Sequence, residues 1–391
     1  MEERGFASVP PLTVPELFSQ AVTKFGQQVA LYERTNTSWK EITYLQYEKQ
    51  CWMVARGLLG LGLARFCGVL ILGRSSPHWF ITQIGAIMAG GVAVGIDPSC
   101  TGSFCLGAAL DSQAQVVMVQ DSQQLQKILE VWERLPGLKA IVQWEGHVKG
   151  SHALVYTWDE LMDLGSEVEE SHLHHVISQQ RSNQCCAMVY ESTTEPKGVL
   201  LSHDNVTWTC RAVVESLGLG SEERVVSYLP LNHMTVQMFD LWLPLCCGSS
   251  TYFTKPNDDL KGSLLATLQA VRPTYFLGFP QLWEKVRRKW MFAERKATSL
   301  QKKILHWARE KGHRAYRGPS SMPWGYSLAE RLVYHPARQA LGLDHCVHCY
   351  AGTKPITQDM AEYYGSLGLE VRHLYGRNET SGVHSLAVPR R

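Results

Sequence analysis

Two short apolar runs, bounded by glycine and joined by a helical stretch, constrain this fold more than any other feature. Gly68-Val-Leu-Ile-Leu-Gly73 contains no polar residue between its glycines. Strands without polar alternation suit a parallel sheet covered by helices on both faces. Residues 79–89 have helical spacing and end at Gly90-Gly91, and Val92-Ala-Val-Gly-Ile96 follows as a second apolar run. The result is a β-α-β unit. It continues as a helix near 101–111, a strand at 116–119, a helix at 123–135 and a strand at 140–143. The first half is therefore expected to be a doubly wound α/β layer.

The remaining segments extend the pattern. Helices are expected at 13–25, opened by Thr13, and at 44–59, closed by Gly60 and Gly62. The polar stretch 151–181 suits a surface connection. Strands are expected at 224–231, 250–254 and 274–279, with helices at 234–243 and 260–271. Pro280-Gln-Leu-Trp-Glu-Lys285 opens a long helical region. Its 302–317 part is strongly basic, and Gly318-Pro-Ser-Ser321 breaks it. Strands at 346–350 and 371–375 come last.

At 391 residues the chain has room for one to three domains or subdomains. A formal charge of +2 gives no nucleic-acid footprint. Met1-Glu2-Glu3-Arg4 leads to Pro10-Pro11 without an apolar stretch, which argues against a secretory signal. The near-apolar run 84–96 is interrupted by glycines and falls short of the roughly 20 residues that cross a bilayer. A cytoplasmic protein, with possible peripheral membrane contact, is expected. The twelve tryptophans suit core packing or a surface that meets lipid. The eleven cysteines include the adjacent pairs Cys185-Cys186 and Cys246-Cys247, which on strands would point to opposite faces as reduced core residues.

The chemistry concentrates at 188–205, where Met-Val-Tyr-Glu-Ser-Thr-Thr-Glu-Pro-Lys-Gly-Val-Leu-Leu-Ser-His-Asp-Asn stands. Hydroxyls and a lysine between two strands suit contact with phosphate. The Gly-x-x-x-x-Gly-Lys-Ser/Thr pattern of a P-loop is absent, which sets that NTPase class aside. No glycine lies between Tyr190 and Lys197, while Glu191 and Glu195 bring negative charge to the loop. The stretch resembles the signature loop of the adenylate-forming enzymes, the acyl-CoA synthetase and luciferase-like superfamily, Tyr-Thr-Ser-Gly-Thr-Thr-Gly-x-Pro-Lys-Gly. Here the loop is shorter and lacks both internal glycines. The resemblance implies that Ser192, Thr193, Thr194 and Lys197 contact the β- and γ-phosphates of ATP.

Further segments carry the same resemblance. Tyr375-Gly376-Arg377-Asn378-Glu379-Thr380 is similar to the family's Tyr-Gly-x-Thr/Ser-Glu element. That implies Tyr375 and Gly376 along the adenine, Glu379 on Mg²⁺ together with Thr193, and Thr380 at the α-phosphate. Asn378 replaces the usual small hydroxyl residue. Gly352-Thr353-Lys354-Pro355 resembles the adenine-side turn, which implies nucleotide contact by Gly352 and Thr353. A lysine at 354 would crowd a purine unless it swings to solvent. Tyr228-Leu-Pro-Leu-Asn-His233 resembles the family's Pro-Leu-x-His, so His233 is implied near the acyl group and α-phosphate. Lys197, His233 and Glu379 are the implied catalytic residues.

Thr13-Val-Pro-Glu-Leu-Phe18, the 79–91 segment, residues 123–129 and Gly278-Phe-Pro-Gln-Leu-Trp-Glu-Lys285 resemble long-chain fatty acyl-CoA synthetases of the bubblegum type. The implied reaction is ATP-dependent formation of acyl-AMP from a long-chain fatty acid, then transfer to coenzyme A, with ATP, Mg²⁺ and coenzyme A as cofactors. The implied fold is the adenylate-forming N-terminal domain with two doubly wound subdomains: 51–223 with the loop, then 10–50 together with 224–391. The family's β-subdomain and C-terminal domain have no counterpart, so a truncated and degenerate member is expected. The altered loop makes weak or absent activity the expectation. The alternative is a non-catalytic pseudoenzyme that binds fatty acid or a partner. Three decoys read otherwise: Cys346-Val-His-Cys349 as a buried strand, His172, His174 and His175 as a solvated cluster, and Gly60-Leu-Gly62 as a helix stop.

Overall fold

Each apolar run of the N-terminal half becomes a strand of one sheet. The computed structural model describes residues 8–35, 38–148, 152–190, 197–254, 263–318, 322–352 and 354–388. In chain order the first elements are α1 (Val14–Phe25), β1 (Val29–Arg34), β2 (Trp39–Thr43), α2 (Tyr44–Gly60), β3 (Gly68–Leu72), α3 (Pro77–Met88), β4 (Val92–Ile96), α4 (Gly102–Asp111), β5 (Val116–Val119) and α5 (Ser122–Leu129). There follow β6 (Ala140–Gln143), β7 (Val155–Thr157), α6 (Trp158–Glu167), α7 (Glu170–Ser178), β8 (Cys185–Tyr190), β9 (Gly198–Ser202), α8 (His203–Leu217), β10 (Arg224–Ser227), α9 (Met234–Gln237), α10 (Leu243–Cys247) and β11 (Ser250–Phe253). The last are α11 (Ser263–Val271), β12 (Tyr275–Gly278), α12 (Pro280–Lys296), α13 (Ser299–Arg317), α14 (Tyr326–Ala329), α15 (His335–Leu341), β13 (His348–Ala351), α16 (Gln358–Gly365), β14 (Val371–Tyr375) and β15 (Ser385–Leu386).

Two compact units result. Residues 1–222, 227–253 and 378–382 form the first, and 223–226, 254–377 and 383–391 the second. The first holds a seven-stranded sheet in the order β7-β6-β5-β3-β4-β8-β9. Its strands are parallel except β9, which returns antiparallel to β8. Every residue of β3, β4 and β5 is buried. On one face Leu70, Leu72, Val94, Val117 and Val119 pack against Leu106 of α4 and Leu125 and Ile128 of α5. Each such aliphatic side chain contributes roughly 1.5–3 kcal/mol on leaving water. In the same unit β1 pairs antiparallel with β2 and parallel with β11. The second unit holds the sheet β12-β13-β14-β15, parallel up to β14 with β15 antiparallel.

Several sequence expectations are corrected. The stretch 151–181 is not a bare connection: β7 pairs with β6, and α6 packs against α2. Leu161 and Leu173 are fully buried in it. The helix expected at 123–135 ends at Leu129, because Val131 leaves the helical region at φ −128°; a 3₁₀ turn, Trp132–Arg134, follows. The strand expected at 224–231 stops at Ser227. The helix expected at 234–243 runs on to Cys247 through a π-helical turn at Met238–Trp242. Cys185-Cys186 does lie on a strand, but Cys246-Cys247 lies on α10, so those two cysteines do not face opposite sides of a sheet. All eleven cysteines are unpaired thiols. Trp79, Trp242 and Trp283 are core residues.

Candidate functional site

The β8–β9 hairpin presents the lysine. Tyr190 pairs with Gly198 across it, so Tyr190 and Lys197 mark the two ends of the intervening loop. Tyr190 is buried, and its hydroxyl donates to Asp111 Oδ2 at the end of α4 (2.8 Å) and to Ala108 O (3.2 Å). Burial, reinforced by the Asp111 carboxylate, pushes its phenol far above the ordinary range. Gly198 packs closely against side chains: a Cβ there would lie 2.0 Å from Met188 Cε and 3.0 Å from Asp111 Oδ2, so the methionine tip would have to move aside. Lys197 is exposed and has no hydrogen-bond or ion-pair partner among the described residues. The implied phosphate residues Ser192, Thr193 and Thr194, with Glu191 and Glu195, lie outside the described residues, as does Thr353.

A second segment arrives from far along the chain. Asn378–Gly382 belongs to the first unit and packs on the start of α9, immediately after His233. The Met234 N–H donates to Asn378 Oδ1 at 3.1 Å, and Thr235 Oγ1 donates to Gly382 O at 2.7 Å. Asn378 thus satisfies a helix-end N–H that has no intrahelical acceptor. The turn is sharp: a 3₁₀ turn at Asn378–Thr380 leads to Ser381 at φ 56° and Gly382 at φ 86°. A Cβ at Gly382 would lie 2.7 Å from the backbone of Met234 and Thr235. β9 neighbours the Asn378–Thr380 turn. Glu379 projects exposed from the turn, Thr380 is half-buried, and His233 is half-buried beside buried Asn232. The Asn232 side-chain oxygen has no partner among the described residues. The first unit therefore holds β9, which directly follows Lys197, together with His233, Glu379 and Thr380.

In the second unit, Tyr375 ends β14, 55% exposed as a residue, with its ring edge-on to His384 at 5.7 Å. Gly376 follows it. Gly352 directly follows β13, and its N–H donates to Gly278 O at 3.2 Å. A Cβ on Gly352 would lie 2.7 Å from Leu277. Lys354 is exposed. Trp283, Leu282, Leu264, Leu268, Phe276 and Leu341 line an apolar cavity of about 190 Å³.

No three His, Cys, Asp or Glu side chains converge as a metal cage among the described residues. One exposed carboxylate, Glu379, next to the Thr380 hydroxyl fits a different mode. Mg²⁺ is usually held by one or two carboxylates plus substrate phosphates. His172, His174 and His175 are exposed on α7, with His174 against Trp52 at 4.7 Å. Cys346 and Cys349 hydrogen-bond through sulfur at 3.2 Å. Cys349 lies on buried β13, but the strand begins only at His348, so Cys346 and exposed Val347 precede it and the expected strand at 346–350 starts two residues late.

Two groups escape sequence reasoning. Asn378 looks like a departure from a motif and proves to be the clasp between two distant segments. Asp240, in the π-helical turn, is a buried carboxyl whose pKa is raised to about 8 by burial, although the Ser227 hydroxyl donates to it at 2.6 Å. A lone aspartate in an apolar helix is the only trace of it in the sequence.

Comparison with known proteins bears on all of this. The family model described as AMP-binding enzyme matches residues 18–391. The long-chain-fatty-acid–CoA ligase ACSBG2 of Xenopus laevis is 43% identical over 399 residues, covering 100% of this chain and 54% of its own length. Human ACSBG2 is 40% identical, covering 99% of this chain and 59% of itself. The chain therefore spans little more than half the length of these relatives. Among solved structures, the anthranilate CoA ligase AuaEII in complex with anthranoyl-AMP superposes with a TM-score of 0.71 at 18% identity, covering 97% of this chain and 63% of that one. That likeness supports the fold. With the family model matching from Phe18 to Arg391 and the curated relatives aligned along the whole sequence, this chain belongs to the AMP-binding enzyme family, on the bubblegum-type branch of ACSBG2 and ACSBG1.

Proposed function

We propose that this chain carries the fatty-acid-activating site of its family in a form with weak or absent adenylation. The single observation behind this reading is the clasp of Asn378–Gly382 on the start of α9, which puts Glu379 and His233 in one unit with the Lys197 hairpin. In this reading Lys197, with Ser192, Thr193 and Thr194, holds the β- and γ-phosphates of ATP. Glu379 and Thr193 hold Mg²⁺, which would offset charge on the leaving pyrophosphate. Thr380 reaches the α-phosphate, and His233 orients the acyl carboxylate. Tyr375, Gly376, Gly352 and Thr353 border the adenine. Coenzyme A and a long-chain fatty acid are the co-substrates, by analogy with the named activity of ACSBG2.

Weak activity follows from the loop sequence. Glycine lets backbone approach a phosphate closely, and none stands between Tyr190 and Lys197. Glu191 and Glu195 add repulsion where negative charge must bind. Loss of one preorganised donor commonly lowers the rate by about 10²–10³-fold. The test is pyrophosphate release with palmitate, ATP and Mg²⁺. Parent turnover no higher than Lys197→Ala is expected; clear turnover above that control would overturn the proposal of weakness.

The second reading, a non-catalytic fatty-acid binder, is favoured by the apolar cavity at Trp283. Saturable binding of a fluorescent fatty acid, unchanged by ATP and lost in Leu268→Trp, would support it over the first.

A further inference from the structure

We propose that the junction of α12 and α13 is a docking surface for an anionic membrane. Only Ala297 and Thr298 separate the two helices, and a capping box between Thr298 and Gln301 fixes the start of α13. The last turns of one helix and the first of the other thus share one exposed end.

Charge and apolar surface coincide there. Residues 285–304 contain eight Lys or Arg and one acid, Glu294, whereas the rest of the chain has 30 against 35. Glu294 is already engaged, by Arg309 and by the Tyr363 hydroxyl. Lys289, Arg295, Lys296, Lys302 and Lys303 are exposed and have no ion pair among the described residues. Between them stand Phe292, 59% exposed, and Leu300, 68% exposed, with Met291 and Ile304 also at the surface. The Lys296 ammonium lies 4.4 Å from the Phe292 ring centre, so cation and apolar ring occupy one patch. Helical spacing puts Lys289, Phe292 and Lys296 on one face of α12.

Unpaired cations alone would suit any polyanion. Exposed Phe and Leu among them select a partner that is both anionic and apolar just beneath its surface, and a lipid headgroup layer is such a partner. No helix among the described residues is long and apolar enough to cross a bilayer, so the mode is one of lying on the surface. A basic side chain near an anionic leaflet contributes about 1 kcal/mol, and salt screens it over roughly 8 Å.

The experiment is co-sedimentation of the full chain with vesicles of phosphatidylcholine alone and of equimolar phosphatidylcholine and phosphatidylserine, at low and high salt. Binding to the anionic vesicles only, weakened by salt, is expected. Replacing Arg295, Lys296, Lys302 and Lys303 by Gln should lower partitioning by about tenfold or more. Phe292→Ser with Leu300→Ser should lower it while leaving the salt dependence in place. Circular dichroism controls for folding; these positions are exposed, so unchanged spectra are expected. Equal binding to both vesicle types, or no loss in either folded variant, overturns the proposal. So does a lipid-free dimer, seen by sedimentation velocity, that Phe292→Ser with Leu300→Ser abolishes while vesicles stay unbound; the patch would then belong to a second copy.

Discussion

At the scale of residues, buried ionisable groups give the sharpest predictions. His203 is 2% exposed, and the Val14 N–H donates to its Nδ1 at 3.1 Å, so the ring must stay neutral. Burial holds its pKa at about 4, below the ordinary 6.5. The folded state takes up the proton less readily than the unfolded chain. Stability is therefore full above pH 6.5 and declines as pH falls toward about 4, by roughly 3 kcal/mol at most. His203→Asn keeps an acceptor without a titration; urea unfolding across that window should show a shallower acid decline. Asp240 has the opposite sign. Its raised pKa means the folded state keeps a proton that the unfolded chain releases, so its contribution is full below 3.8 and lost as pH rises to about 8. Asp240→Asn should gain stability over the parent progressively between those values, and a pH-independent difference would sink the idea. Asn378→Ala leaves the Met234 N–H buried without its acceptor and should destabilise by about 1–3 kcal/mol in chemical unfolding. None of these three roles is legible in sequence, because each depends on a partner scores of residues away or on burial by other elements.

At the scale of elements, legibility followed periodicity. The strands at 92–96, 116–119 and 140–143 have the bounds that their apolar runs suggest. Thr13, Thr43, Thr101 and Ser202 cap the helices after them by accepting backbone N–H bonds, a local signal that needs no tertiary context. The polar stretch that becomes α6 carries the same cap, Thr157 accepting from the Glu160 N–H in a capping box, but lacks a clear apolar periodicity behind it. Few of its residues are apolar, and its helix rests on contact with α2 through opposed glycines. A Cβ on Gly57 would lie 2.4 Å from the Leu161 carbonyl oxygen, and one on Gly165 2.3 Å from that of Met53. Backbones meet there without intervening side chains. Gly57→Ala or Gly165→Ala should each destabilise by about 1–3 kcal/mol by overpacking, despite alanine's better helix propensity. A thermal melt that rises instead would show that the helices part freely.

At the scale of the whole molecule, the candidate site depends on contacts that cross the sequence. Residues 378–382 leave their chain neighbours to join the first unit, clasped to α9 from 144 positions away by Asn378. The proposed weakness predicts a gain as well as a loss. Replacing residues 191–195 with the family's longer glycine-containing segment should raise pyrophosphate release by about tenfold or more, if backbone reach and charge are what limit it. A folded chimera that stays at the level of Lys197→Ala would place the limitation elsewhere.

By itself the sequence determined the class of fold, the family and the identity of the motif residues, because apolar periodicity, caps and short signatures are local properties of the chain. Tertiary structure alone decided that Asn378 is a clasp, that 155–178 is built into the sheet and its helices, and that Asp240 and His203 sit where burial shifts their protonation. These outcomes depend on which distant groups exclude water from a side chain, and a linear pattern does not encode that.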